Sequence, residues 1–471
     1  MDLFTIAAIV ITLSAVFGYV NVRVLKLPNT IGLMVIAILF TLALFASSYF
    51  TNVFLNAANQ LVAAIQFETV LMDIMLGFLL FAGAMHTNFD QLRVQRWPVL
   101  VFATLGVLSS TFLVGFFVYF VFGFLGLEIQ FIHCLLFGAL ISPTDPIAVL
   151  GILKKAGVPK KLETKIVGES LFNDGVGVVV FLTILKVAGG GGGAHQDTTQ
   201  VQPQASVHSA VTLVSNSEAT ETMPKLSDEL VAEAEKEAQP PADSDSTETT
   251  NAGAVAKLFL QEVLGGIALG LLLGFLVFRL LRSIDNYEVE VMITLACVMG
   301  GYSLAHAMHL SAPLAIVVAG LIVGNDTVRG TAMSEETEQY VDRFWELLDI
   351  LMNAILFVLI GLEMLILEVR REYIIASLAA IGIVLLARYL SLIAPVRFFA
   401  KRLQFVPHTS TIMAWGGLRG GISIALALSL PVEMNRSLFV TVTYGVVVFS
   451  IIVQGLTVGK LANRLIGTNE T

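Results

Sequence analysis

Charge is scarce in this chain. Of its 471 residues only 13% are Asp, Glu, Lys or Arg, while 56% are hydrophobic, and the mean hydropathy is +0.83. Soluble domains carry about 25% charged residues. The composition therefore excludes a soluble enzyme, a disordered protein and a nucleic-acid binder. Cysteine is nearly absent too. Cys134 and Cys297 both lie in apolar runs and offer neither a disulfide framework nor a metal cluster. The seven histidines are scattered, and no HExxH, nucleophile elbow or paired-aspartate protease pattern occurs. The glycine run Gly189 to Gly193 has no Lys-Ser/Thr after it, so it is no phosphate loop, and a nucleotide partner has no residues to bind it. The first apolar run, Leu3 to Val20, lacks a basic leader and a small-residue cleavage site, and it reads as a membrane span.

What the chain does have is apolar helical segments. Thirteen are expected, at 3–20, 30–47, 69–86, 97–124, 130–154, 164–187, 255–281, 288–309, 311–324, 343–366, 373–399, 409–430 and 437–460. Most reach the roughly 20 residues that a hydrocarbon core about 30 Å thick requires. The stretch 51–66 is too polar to count, and the ninth segment is short. The fold expected is an all-α polytopic membrane protein. Its first half is 1–187 with spans one to six. An acidic insertion follows at 188–254, a second half at 255–466 with spans seven to thirteen, and a short tail at 467–471. With the N-terminus outside, the inside loops collect most of the cations, among them Arg23, Lys26, Lys160, Lys165, Arg279 and Arg464. This is the positive-inside bias of a multi-pass protein of the cell inner membrane with a cytoplasmic C-terminus. Two cations, Arg388 and Arg419, belong to no loop.

The insertion holds 11 acidic residues and two lysines and so carries the whole excess of acid, since the chain has 36 acidic and 27 basic residues in all. Its Gly, Gln, Ser, Thr and Pro content cannot bury a core, so it is expected to be disordered and extracytoplasmic.

Charges deep in a membrane are costly and mark function. Asp145, Glu169 and Asp174 lie deep. Asp73, Glu262, Glu346, Asp349 and Glu363 fall nearer the ends of the expected spans, where snorkelling or interfacial water accounts for them. In span six, Glu169 and Asn173 stand four residues apart, as do Ser170 and Asp174, which gathers two carboxylates, a hydroxyl and an amide on adjoining helix faces. At 1.5 Å per residue Asp174 reaches the midplane. Such an all-oxygen set suits a hard cation. Span five carries Ser142-Pro-Thr-Asp-Pro146. Its two prolines free the carbonyls of Ala139 and Ser142 and break the helix near mid-depth, which is tolerated where backbone lines a cavity. Thr144 offers a hydroxyl and a carbonyl there, and Asp145 faces the positive end of a half-helix. Span twelve carries Trp415-Gly-Gly-Leu-Arg-Gly-Gly421, a second break with Arg419 level with Asp174, placed to offset freed carbonyls or Asp145. By helix rise Arg388 sits about 7 Å from the cytoplasmic side, as does Glu169, so the two should pair. Spans five and twelve are each the fifth member of a six-helix unit, and the two units run in opposite directions. That is the pattern of inverted repeats with two broken helices.

At Ser142-Pro-Thr-Asp-Pro146, Gly168-Glu-Ser-Leu-Phe-Asn-Asp-Gly175 and Trp415-Gly-Gly-Leu-Arg-Gly420 the sequence resembles the NhaP-type sodium/proton antiporters. These belong to the monovalent cation:proton antiporter group that includes the animal sodium/hydrogen exchangers. The resemblance implies about thirteen transmembrane helices with two crossed broken ones, and a homodimer in membrane lipid that serves pH homeostasis. It implies a transporter rather than an enzyme, without cofactor, whose cargo is Na⁺ or Li⁺ and H⁺. It makes Asp174 the ion- and proton-binding group, with Thr144 and Ser170 completing the Na⁺ site and Asn173 and Glu169 beside it. Glu169 is implied to pair with Arg388, and Asp145 and Arg419 to balance the crossed half-helices. The acidic insertion is no part of the family pattern.

One carboxylate that holds either a proton or a cation gives obligatory exchange, and Asn173 adds no second proton, so one-for-one electroneutral exchange by alternating access is expected. Potassium/proton exchange on the same fold remains open at this point, as does, more remotely, a cation channel. A membrane-embedded hydrolase would need a histidine near Ser170, and a sensor would need a soluble output module.

Deleting Gly190 to Asn251, with a short linker retained, is expected to leave the maximal exchange rate in proteoliposomes within a few-fold of the parent. A well-folded but inactive deletion would overturn that reading of the insertion.

Overall fold

A computed structural model describes residues 2–87, 92, 94–145, 149, 152–153, 156–189, 252–325, 330, 332–368, 370–403 and 405–466. The acidic insertion between 190 and 251 and the tail 467–471 lie outside the described residues. The described chain is helical. We number its helices α1 (Phe4–Leu25), α2 (Asn29–Ser47), α3 (Val53–Ala64), α4 (Phe67–Met85), α5 (Arg96–Phe124), α6 (Phe131–Ile141) and α7 (Lys160–Ala188). The second half follows with α8 (Phe259–Leu281), α9 (Tyr287–Ala307), α10 (Ala312–Val323), α11 (Glu335–Glu363) and α12 (Arg371–Leu403). It ends with α13 (Thr409–Gly416), α14 (Gly421–Leu428) and α15 (Arg436–Ile466).

Ten of these helices are long and apolar enough to cross a membrane, and the pair α13 and α14, bent by 54° at its break, makes an eleventh span. The shorter α6 and α10 fall on the fifth and ninth expected segments. The stretch set aside as too polar contains a helix after all, α3, which buries Leu61 and Val62.

Local chemistry sets the ends. Ser311 caps α10, accepting from Leu314 N at 3.4 Å, with Pro313 in the first turn. Ser334 caps α11, and Glu335, Glu336 and Glu338 follow in its first turn, where the helix dipole favours acids. That polar start lengthens the tenth span by two turns beyond the apolar run. As a result Asp349, expected near a span end, stands at the midpoint of α11.

The helices form two groups. One consists of α1, α2, α4, α8, α9, α10 and α11, linked by packing of α11 on α2, α4 and α1 and of α10 on α8, α4 and α9. In the other, α5 packs on α6 and α12, α12 on α13 and α15, α14 on α15 and α6, and α7 on α6. Four helices carry a π-helical turn: Asn21–Leu25, Val70–Met75, Phe102–Gly106 and Ser450–Gln454. Such turns free a backbone carbonyl and gather at functional sites. In α4 the Met72 carbonyl accepts from the Tyr302 hydroxyl of α9. In α15 the turn faces the break between α13 and α14.

The crossing of α5 and α6 positions the first break. A Cβ on Gly138 would lie 3.1 Å from the Thr111 carbonyl carbon and 3.2 Å from Gly115 N, and one on Gly115 would lie 3.0 Å from Leu135 Cα. The helices touch backbone to backbone, as small residues allow in membranes. One turn beyond Gly138, the Ser142 hydroxyl donates to the Gly138 carbonyl at 2.7 Å and lies 3.0 Å from the Ser110 hydroxyl, from which it can accept, and this ties the end of α6 to α5. Gly138→Ala should therefore lower the thermal midpoint in detergent by an amount that corresponds to about 1–3 kcal/mol, as overpacking does. Gly123→Ala, where a Cβ meets nothing within 4 Å, serves as the neutral control. Equal midpoints for the two variants would show that the crossing tolerates separation.

Candidate functional site

The two breaks meet. After α6 the chain runs through Ser142, Pro143 and Thr144 to Asp145, whose backbone N–H donates to the Leu418 carbonyl between α13 and α14 at 2.7 Å. From the opposite side Arg419, 1% exposed, donates through Nη1 to the Ser142 carbonyl at 2.7 Å and to that of Pro143 at 2.9 Å. Of the two roles expected for Arg419, the structure shows the neutralised carbonyl end. Of the two carbonyls expected to be freed, Ser142 is taken by Arg419, and Ala139 accepts from Ser142 N at 3.4 Å as the helix tightens in its last turn. The π-turn of α15 completes the knot: Ser450 Oγ accepts from Arg419 N at 3.0 Å, and Gln454 Nε2 donates to the Trp415 carbonyl at 2.8 Å. Gly420 admits the crossing, because a Cβ there would lie 3.0 Å from both Cβ and Oδ2 of Asp145. Ser450 and Gln454 went unremarked in the sequence reading; single polar residues in apolar runs carry no periodic signal.

Helix α7 runs past this knot with all four of its expected polar residues buried. Asn173 Nδ2 donates to Thr144 Oγ1 at 2.8 Å, and Thr144 N donates back to Asn173 Oδ1 at 3.2 Å. Ser170 Oγ shares a hydrogen bond of 2.8 Å with the same Thr144 hydroxyl. Ser170 and Asn173 thus clamp Thr144 in place. Glu169 points elsewhere: its Oε1 lies 2.5 Å from Arg388 Nη1 of α12, with each side chain 2% exposed. Equal depth predicts that pairing, and the structure has it. The same geometry takes the Glu169 carboxylate to the arginine rather than to Asp174. A third buried cation, Lys165, was counted among the loop residues; it is fully buried, its Nζ 3.8 Å from the centre of the Phe405 ring.

Asp174 is different. It is 6% exposed, and among the described residues no group donates a hydrogen bond to its carboxylate. It lines a cavity of about 50 Å³ together with Pro143, Thr144 and Asp145 from the first break and Gly420, Gly421 and Ser423 from the second. Leucines 71, 76, 79 and 80 of α4 and Asn353 and Leu356 of α11 close the other side. The cavity therefore sits between the two helix groups, with oxygen ligands on one wall and mostly apolar side chains on the other. One water needs about 10–15 Å³ of such space, so the volume accommodates a small cation with its remaining water.

The buried pair offers a direct check. Removing one partner of such a pair leaves an uncompensated charge and costs about 3–5 kcal/mol. Glu169→Gln and Arg388→Ala should each lower thermal stability in detergent, and the double variant should lose less than the sum of the two. Strict additivity would mean that the residues do not interact.

Comparison with known proteins places the chain. The family model described as "Sodium/hydrogen exchanger, transmembrane" matches residues 10–215 and 230–464. A Na(+)/H(+) antiporter, NhaP, of Pseudomonas aeruginosa is 43% identical over 465 residues, covering 98% of this chain and 96% of the relative. The Na(+)/H(+) antiporter NhaH of Halobacillus dabanensis is 28% identical over 94% of this chain and 93% of its own. The sodium proton antiporter MjNhaP1 from Methanocaldococcus jannaschii has the same fold, with a TM-score of 0.68 at 18% identity over 99% of this chain and 100% of its own. With its crossed broken helices and its family match spanning nearly the whole membrane body, the chain belongs to the sodium/hydrogen exchanger family of multi-pass membrane transporters.

Proposed function

We propose that this protein exchanges Na⁺ for H⁺ at Asp174, one for one, by alternating access. The observation that carries this reading is that Asp174 turns a carboxylate with no hydrogen-bond donor among the described residues toward a cavity at the meeting point of the two breaks. Every other deep charge of the α7 region has a fixed partner: Glu169 has Arg388, and Arg419 has the carbonyls of Ser142 and Pro143. A bare carboxylate in a low-dielectric interior is strongly disfavoured. The site crosses with either a proton or a cation on it, and crossing empty is suppressed. Thr144, held by Ser170 and Asn173, presents oxygens beside the carboxylate, and hard monovalent cations such as Na⁺ and Li⁺ take oxygen ligands. Access alternates as the group holding α6, α7, α13 and α14 shifts against the wall formed by α4 and α11.

The orientation follows from charge. The ends of α1, α8 and α15 and the start of α7 carry Arg23, Arg279, Arg464 and Lys160; we assign this basic end to the cytoplasm of a cell with the protein in its inner membrane, the N-terminus outside and the C-terminus inside. The working unit is a homodimer in lipid, as the resemblance implies.

Exchange in proteoliposomes tests the reading. Asp174→Asn should abolish sodium-driven proton movement while leaving a monodisperse, folded protein. Retained pH-dependent sodium uptake in that variant would overturn the proposal. Because proton and sodium compete for one group, the apparent sodium KM should rise as pH falls, by at most about tenfold per pH unit. A clamped membrane potential of either sign should leave the rate unchanged; a steeper pH slope or a voltage-dependent rate would mean more than one proton per ion.

A further inference from the structure

A second cavity, of about 640 Å³, lies toward the basic end between α1, α2 and α11, with Ile152 closing it from the segment after the first break. It spans the same boundary between the two helix groups as the Asp174 cavity. Among the described residues that line it, Asp349 of α11 is the one charged side chain. Asp349 stands at the middle of α11 and forms no ion pair with any described residue. Its side chain contacts stay within its own helix: Asn353 Nδ2 donates to Asp349 Oδ1 at 3.0 Å and to the Asp349 carbonyl at 2.9 Å. This hydrogen bond joins no second helix, so helix gluing does not account for the charge. Asn353 in turn is the single residue common to the linings of both cavities.

We propose that Asp349 and Asn353 form a cation way-station between the cytoplasm and Asp174. Asp349 offers a carboxylate to a hydrated monovalent cation, and Asn353, its amide nitrogen engaged, keeps its carbonyl oxygen for the same ion at the boundary of the inner cavity. The inference rests on Asp174 being the exchange site. Three physical arguments support it. An ionisable residue at mid-helix in a membrane protein without a partner marks an ion path. A cleft bearing one sign of charge between low-dielectric walls concentrates counter-ions. And one carboxylate with one amide in a wide, watered cavity binds loosely enough to release the ion onward, as conduction through successive sites demands.

The test is sodium-dependent exchange by the full chain, initiated separately from each face in membrane vesicles of defined orientation. Asp349→Asn should raise the apparent sodium KM from the cytoplasmic face by about tenfold, the lower end of what a charged cleft contributes, and by more than it lowers the maximal rate. The KM from the opposite face should not move. The difference should narrow as choline chloride shortens the Debye length from about 30 Å at 0.01 M to about 8 Å at 0.15 M, and Asp349→Glu should restore the parent KM. Asn29→Lys sets a positive charge, repulsive to the entering cation, in the same lining and leaves Asp349 unsubstituted, and it should raise the cytoplasmic KM as well, so the proposal stays testable where Asp349→Asn fails to fold. A parent-like cytoplasmic KM in either folded variant would overturn the proposal, as would a loss of stability and rate with KM unchanged. Asp174→Asn run in parallel separates the two readings: exchange retained there refutes the deep site, whereas exchange lost there with a parent-like KM in Asp349→Asn refutes the way-station alone.

Discussion

The Arg419 guanidinium on the carbonyls of Ser142 and Pro143 is the contact on which the rest of the site depends. Breaking a helix inside a membrane exposes backbone groups to a medium without water, where each unpaired one costs several kcal/mol. Here two breaks relieve each other. The second supplies a cation for the carbonyl end of α6, and its Leu418 carbonyl takes the Asp145 N–H. The π-turn of α15 takes up what remains, through Ser450 and Gln454. With the loop fixed, Thr144 meets Ser170 and Asn173, and the cavity beneath Asp174 acquires its shape.

Around that knot the charges divide into held and unheld. Glu169 and Arg388 neutralise each other between α7 and α12, inside one helix group, so the pair does not bridge the boundary between the groups. Lys165 rests on the Phe405 ring, a contact that stabilises a desolvated ammonium. Asp174, beside Asp145, turns to the boundary between the groups, and no described residue donates a hydrogen bond to its carboxylate. A transporter of this design needs that asymmetry. A carboxylate fixed by arginine could not trade a proton for an ion, and an exposed one could not enforce the exchange.

Much of this was legible in the sequence, and for physical reasons. Long apolar runs leave few alternatives to helices, and proline or glycine beside a charge at mid-run announces a break. Counting 1.5 Å per residue matched Glu169 to Arg388 because each stands within one unbroken helix, Lys160–Ala188 and Arg371–Leu403. The method failed where helix and hydropathy part company. The expected tenth span began at 343, and so placed Asp349 near an end, whereas the capped, acidic start of α11 at Glu335 moves it to the centre. The helix α3 was missed because its polar residues mask a buried stripe of Leu61 and Val62. The role of Ser450 and Gln454 could not be read at all, since a π-turn depends on packing against the break and leaves no periodic trace.

The long reach of the Arg419 contact has a consequence for biogenesis. Ser142 and Arg419 are separated by 277 positions in the chain. At 5–20 residues per second, roughly 15 to 55 s pass between their synthesis. Throughout that interval the carbonyl end of α6 sits in the membrane without its guanidinium. The first half of the chain is therefore an incomplete object, dependent on water, lipid headgroups or an insertion chaperone until the twelfth span arrives. Folding of the transport site is by necessity the last event of assembly. A ribosome that stalls before Trp415 leaves a membrane protein with an open polar wound at mid-depth, a feature by which quality control can recognise it.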